Sequence, residues 1–171
     1  PERGVSAAYK AAKAALAIEQ LNKDLKPDAE NFLGKGTVTV SQMDVKGPSQ
    51  CAVADYAMLY LDRRLTWGED AELAIGQVRE YISKATGDDP ESIVVEMIGW
   101  TKKEYSQELY FPTWKIDADH PLVEAGVASH EALFGKKPVV DKWTFSTNLV
   151  ATTGRHKIPA IGFGPGDESQ A

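Results

Sequence analysis

Residues 66–87, TWGEDAELAIGQVREYISKATG, constrain the chain more tightly than any other stretch. Ala71, Ala74, Ile75, Val78, Tyr81, Ile82 and Ala85 recur at a spacing that places them on one stripe of an α-helix. Thr66-Trp67-Gly68-Glu69 has the form of a capping box, in which the threonine accepts from a backbone N–H three residues on and the glutamate reaches back. Gly87 supplies the stop. Just before this helix, Tyr56–Arg64 reads as a strand with Ala57, Leu59 and Leu61 on one face. Just after it, Ile93–Ile98 is a nearly unbroken apolar run, as expected of a strand covered on both faces.

Upstream, Val5–Leu25 reads as a helix in which Ala8, Ala12, Leu16, Leu21 and Leu25 follow approximate helical spacing, and Pro27 ends it. Gly36–Ser41 alternates as a strand, with Val38 and Val40 on one face. The turn at Gly47-Pro48 joins this strand to Tyr56–Arg64, and the two are expected to pair antiparallel. Residues 5–98 therefore read helix, strand, strand, helix, strand. That is a ferredoxin-like split βαβ unit lacking its first strand, since a right-handed crossover through the first helix requires a strand upstream of Pro1. The overall class is α/β, with an α+β module followed by a partial parallel α/β layer. Residues 1–100 form the first domain and 101–171 the second, with the boundary in the aromatic and lysine-rich stretch 100–117.

In the second domain, Asp119 is placed to cap a helix with Leu122, Val123, Val127, Leu133 and Phe134 on its inner face and Gly135 as its stop. Val139–Trp143 and Ile158–Phe163 read as short parallel strands, separated by a short helix closed by Gly154. Ligands in parallel α/β sheets sit beyond the carboxyl ends of the strands, where the polar turns Thr144–Asn148 and Gly164–Asp167 fall. Two strands and two helices make a half-built layer, so the chain is expected to be a portion of a larger enzyme.

The net charge of −6, without a basic cluster, argues against binding to a phosphate backbone. No apolar run is long enough to span a bilayer, so no membrane partner is expected. The single cysteine, Cys51, excludes an internal disulfide and suits a cytoplasmic setting; it reads as small and partly buried rather than nucleophilic. Asp62-Arg63-Arg64 could serve as an anion site but reads rather as a charge pair fixing a strand end. Of the three histidines, His130 lies one helical turn from Val127 and Phe134 and reads as packed, His120 as locally structural, and His156 as exposed. Several side-chain donors at the mouth of a sheet, from Thr144 to Asn148 with Arg155 nearby, suit a carboxylate, although a plain helix cap explains the hydroxyls equally well.

PERGVSAAYKA, SQCAVADYAMLYLDRRLTWGED, DADHPLVEAG and STNLVATTGRHKIPAIGFGPGDE together resemble the zinc-dependent peptidase and aminoacylase superfamily. That superfamily includes acetylornithine deacetylase, succinyl-diaminopimelate desuccinylase and glutamate carboxypeptidase, and within it the chain most resembles the hydrolases associated with selenium metabolism. The resemblance implies a homodimeric enzyme with a ferredoxin-like dimerisation and lid domain inserted in a catalytic domain that carries two divalent metals, zinc or cobalt. It implies hydrolysis of a small amide or peptide substrate by metal-activated water. The lid histidine would precede Pro1, and the last metal-binding histidine would follow Ala171. Cys51 stands at the family's usual asparagine and Ala54 at its usual proline, so no catalytic residue and no metal ligand is assigned to this chain. Ser146, Thr147, Asn148 and Arg155 match the substrate-carboxylate loop. The alternative is a stand-alone ferredoxin-like module for small-molecule binding or dimerisation.

Overall fold

The computed structural model describes residues 4–97, 110–143 and 147–164. The chain divides into two compact units, Pro1–Leu109 and Tyr110–Ala171.

In the first unit, helix α1 (Ala7–Asp24) and helix α2 (Ala71–Thr86) pack against each other, and α1 also lies across an antiparallel hairpin of β1 (Thr37–Lys46) and β2 (Tyr56–Arg64). The expected antiparallel pairing is present, with Val38 opposite Arg63 and Val40 opposite Leu61. The register shifts between Val40 and Gln42, so β1 runs five residues past the expected end at Ser41. The core is Ile18, Leu21, Leu25, Val38 and Val78, with Val40, Leu61, Tyr81, Ile82 and Val95 against it. Burying these side chains from α1, β1 and α2 together is what holds the unit, since each large apolar side chain removed from water contributes roughly 1.5–3 kcal/mol.

Several sequence-based expectations are corrected here. The buried face of α1 is Ala11, Ala14, Ala17, Ile18 and Leu21, whereas Leu16 is 67% exposed and Ala12 is exposed. An alanine-rich helix carries more than one apolar stripe, and packing selects the one containing Ile18. Helix α2 is capped by Asp70, whose Oδ1 accepts from Leu73 N at 2.8 Å, and not by Thr66. The reach-back half of the box is real, with Thr66 N donating to Glu69 Oε2 at 2.9 Å. The Thr66 hydroxyl is drawn away to Gly34 O at 2.6 Å and Asp28 Oδ2 at 3.2 Å, so it tethers the loop before β1. Gly87 ends α2 with φ 77°, as its lack of a Cβ permits. The stripe on α2 narrows to Ala74 and Val78 buried, with Ile75, Tyr81 and Ile82 half-buried and Ala85 exposed.

The mixed α/β class holds, but the sheet is smaller than expected. Among the described residues it has two strands. Residues 93–97, the described part of the expected strand, pair with nothing in a ladder; Val95 packs on the core and Ile93 O accepts from Arg79 Nε at 3.3 Å. Ile98 lies outside the described residues. A strand exists only as one side of a pair, and in a split βαβ unit the fourth strand pairs with the first, which is not seen among the described residues. Cys51 is exposed rather than partly buried. Arg64 does pair with Asp62, but at the surface, while Arg63 makes a buried ion pair with Glu69 at 2.6 Å.

In the second unit, α3 (Pro121–Phe134) begins at His120, whose Nδ1 accepts from Leu122 N at 3.1 Å, and ends at Gly135. His120 thus takes the capping place expected of Asp119. Of the expected inner face, Val123 is buried and Val127 half-buried, whereas Leu133 and Phe134 are exposed. Residues 139–143 and 158–163 form no strands, so the parallel layer is not seen among the described residues.

Candidate functional site

The expected site residues bracket one turn of the second unit. Ser146 lies outside the described residues, as does Thr144. Thr147 is half-buried, and its Oγ1 accepts from Leu149 N at 3.2 Å, a hydroxyl-stabilised turn of the kind that starts helices. Asn148 is exposed, and its carbonyl accepts from Ala151 N at 3.1 Å. The expected two-turn α-helix is instead a π turn, Val150–Arg155, in which His156 N reaches back five residues to Ala151 O at 3.1 Å. A π turn is wider than an α turn and is frequent at functional sites.

Gly154 is inside this turn and buried, not its stop. A Cβ there would lie 3.1 Å from Pro112 Cγ and 3.2 Å from Pro112 O, so the glycine permits a close approach. The turn closes on Lys157, which takes φ 57° and donates from Nζ to Gly154 O at 2.8 Å. Positive φ is uncommon for a residue with a side chain. Thr153, 9% exposed, donates from Oγ1 to Ile158 O at 2.9 Å, and Ile158 N donates to Thr152 O at 3.0 Å. These bonds satisfy the turn internally, leaving Asn148 at the surface at one end and Arg155 at the other.

Arg155 Nη2 donates to Tyr110 O at 2.8 Å, and its guanidinium lies 5.7 Å from the centroid of the Phe111 ring. The sequence reading missed Thr153, Lys157 and this anchoring of Arg155. A signal for the first two was present in TTGRHK, whose glycine between hydroxyls and cations invites a tight turn. None existed for a partner 45 residues upstream.

The metal implied by the resemblance finds no fit here. Among the described residues, no group of three or more His, Cys, Asp and Glu stands close enough to share an ion. His120 Nδ1 is committed to Leu122 N, and His130 Nδ1 lies 2.9 Å from Lys136 O. The His130 ring packs 4.8 Å from Phe134 and 5.7 Å from Phe163. His156 is exposed. No step through a metal is derived from these residues.

Comparison with known proteins supplies what geometry does not. The uncharacterized protein YgeY of Escherichia coli K12 is 48% identical over 178 aligned positions, covering all of this chain and 42% of its own length. The protein of the same name from E. coli O157:H7 matches to the same extent. The chain thus spans less than half the length of these curated relatives. No solved structure matches. The model of the peptidase dimerisation domain matches residues 1–90, which hold α1, β1, β2 and α2, and by that match the chain belongs to the peptidase dimerisation domain family of the M20 peptidase superfamily.

Proposed function

We propose that the chain is the dimerisation and lid module, with part of the catalytic domain, of a metal-dependent hydrolase of amide or peptide bonds. The observation that carries the reading is an unpartnered surface on the matched domain. Tyr9, Ala12 and Leu16 follow one another at helical spacing on α1, with Val5 just before it, and Val5, Tyr9 and Leu16 are 73, 77 and 67% exposed. At about 100° per residue the stripe lies opposite Ile18. It also turns away from the side of α1 where Lys10 bonds Asp88 and Asp24 accepts from Tyr81 Oη at 2.9 Å. In the hairpin, β1 pairs with β2 along one edge and with no other described strand. An apolar helix face is a poor surface to leave in water and a good one for a second copy, and an open strand edge is another place where a copy can pair. A two-fold contact uses the same patch on both partners, and Ala12 lets the helices approach closely.

The second unit supplies substrate groups in this reading. Ser146, Thr147 and Asn148 at the entry to the π turn, with Arg155 at its end, hold the carboxylate of a small amide or peptide substrate. A guanidinium has five N–H donors, so anchoring at Tyr110 and a carboxylate contact are compatible. Zinc or cobalt ligands, and the general base, come from the remaining length of the parent enzyme, which works in the cytoplasm on a small molecule and not on nucleic acid. The resemblance of the four quoted segments supports these finer points, including the likeness to selenium-metabolism hydrolases.

Sedimentation equilibrium tests the reading. The chain is expected to be a dimer, and the pair Tyr9→Lys with Leu16→Glu to be a monomer with unchanged helical circular dichroism, since both side chains are exposed in one copy. The same dimer, given zinc or cobalt and an N-acyl amino acid, is expected to release no product. A monomeric parent chain, or turnover by this chain that a chelator abolishes, would overturn the proposal.

A further inference from the structure

The residues that Arg155 touches are the first of the second unit, which begins at Tyr110. Three contacts hold this entry against the π turn. Tyr110 O accepts from Arg155 Nη2 at 2.8 Å, the Phe111 ring lies under the guanidinium at 5.7 Å, and Pro112 fills the space left by the missing Cβ of Gly154. The five-residue reach of the turn puts Gly154 and Arg155 on the entry segment together. A planar cation suits this place because one face stacks on a ring while the edge donates in plane.

We propose that Arg155 is a positioning residue that clamps Tyr110–Pro112 to the π turn and so ties the point where the chain enters the second unit to the Thr147–Asn148 loop. The clamp goes beyond a substrate contact and does not depend on one.

The test is amide hydrogen exchange by mass spectrometry on the intact chain, comparing a peptide spanning residues 110–117 with one from α3. Arg155→Ala is expected to speed exchange in the entry peptide about tenfold, the effect of losing one charge-assisted hydrogen bond, and to leave the α3 peptide unchanged. Phe111→Leu, which removes the ring face and keeps an apolar side chain, is expected to act on the same peptide. The two changes together are expected to do less than the product of their separate effects, because both break one clamp. Arg155→Lys is expected to fall between wild type and alanine, retaining the donor but losing the stack. Unchanged exchange in Arg155→Ala, or independent effects in the double variant, would overturn the clamp. Faster exchange in α3 as well would also overturn it, by showing a general loss of the unit's fold; Arg155→Lys and Phe111→Leu, being conservative, keep the comparison available if alanine does not fold.

Discussion

Arg63 and Glu69 form an ion pair largely withdrawn from water, with side chains 10 and 11% exposed. Arg63 also donates to Gln77 Oε1 at 3.0 Å, while its Nε is buried without a partner among the described residues. Gly36 lies against this knot, where a Cβ would stand 2.7 Å from both Arg63 Nη1 and Glu69 Oε2. A buried pair is costly to break from one side, because the remaining charge stays buried. Glu69→Ala is therefore expected to destabilise the unit by about 3 kcal/mol. Asp62→Ala, which removes a surface partner of Arg64, is expected to cost less than about 1 kcal/mol. Urea unfolding of the purified variants distinguishes the two. The motif Asp62-Arg63-Arg64 announced a charge pair, but adjacency pointed to Asp62; Glu69 becomes the buried partner only after the chain has turned into α2.

Among elements, α2 shows how nearly local chemistry specifies a helix. Its stop at Gly87 and the core positions Ala74 and Val78 follow from spacing alone. The cap does not, because Thr66 and Asp70 are both good capping residues and the loop before β1 claims the hydroxyl of the first. Asp70→Ala is expected to cost about 1 kcal/mol, a fall of roughly 4–8 °C in melting temperature for a unit of this size. Followed by circular dichroism at 222 nm, a loss confined to Thr66→Val would assign the cap the other way. The strand β2 was legible from end to end, Tyr56 to Arg64, because one alternating face suffices when a hairpin partner lies a short turn away. Residues 93–97 have the composition of a strand but no ladder, since their pairing depends on another segment.

At the scale of the whole molecule, two carboxylates join distant parts of the first unit. Burial raises the Asp28 pKa, but hydrogen bonds from Phe32 N, Leu33 N, the Thr66 hydroxyl and Glu30 N outweigh it and hold the carboxyl below its usual range. Asp88 is held low chiefly by the Lys10 ammonium, 78 residues away in sequence, and next by the Thr86 side chain. Groups with depressed folded-state pKa values contribute stability above their unfolded value, about 3.9 for aspartate, and that contribution is lost as pH falls towards the folded values. The urea midpoint is expected to be flat from about pH 7 to 5 and to fall below about pH 4. Asp28→Asn and Asp88→Asn are each expected to lower the neutral plateau and flatten the acid limb; an unchanged acid limb in both would remove these carboxylates from the account. The amino-acid sequence alone determined the three α-helices, the hairpin, the glycine stops of α2 and α3 and the match to a dimerisation family, because spacing, turn chemistry and motif are properties of neighbours along the chain. Tertiary structure alone decided which stripe of α1 is buried, where Arg63 finds its counter-charge, and that Arg155 grips Tyr110. Each of these is a choice among several locally acceptable partners, settled by which one folding brings within a few ångströms.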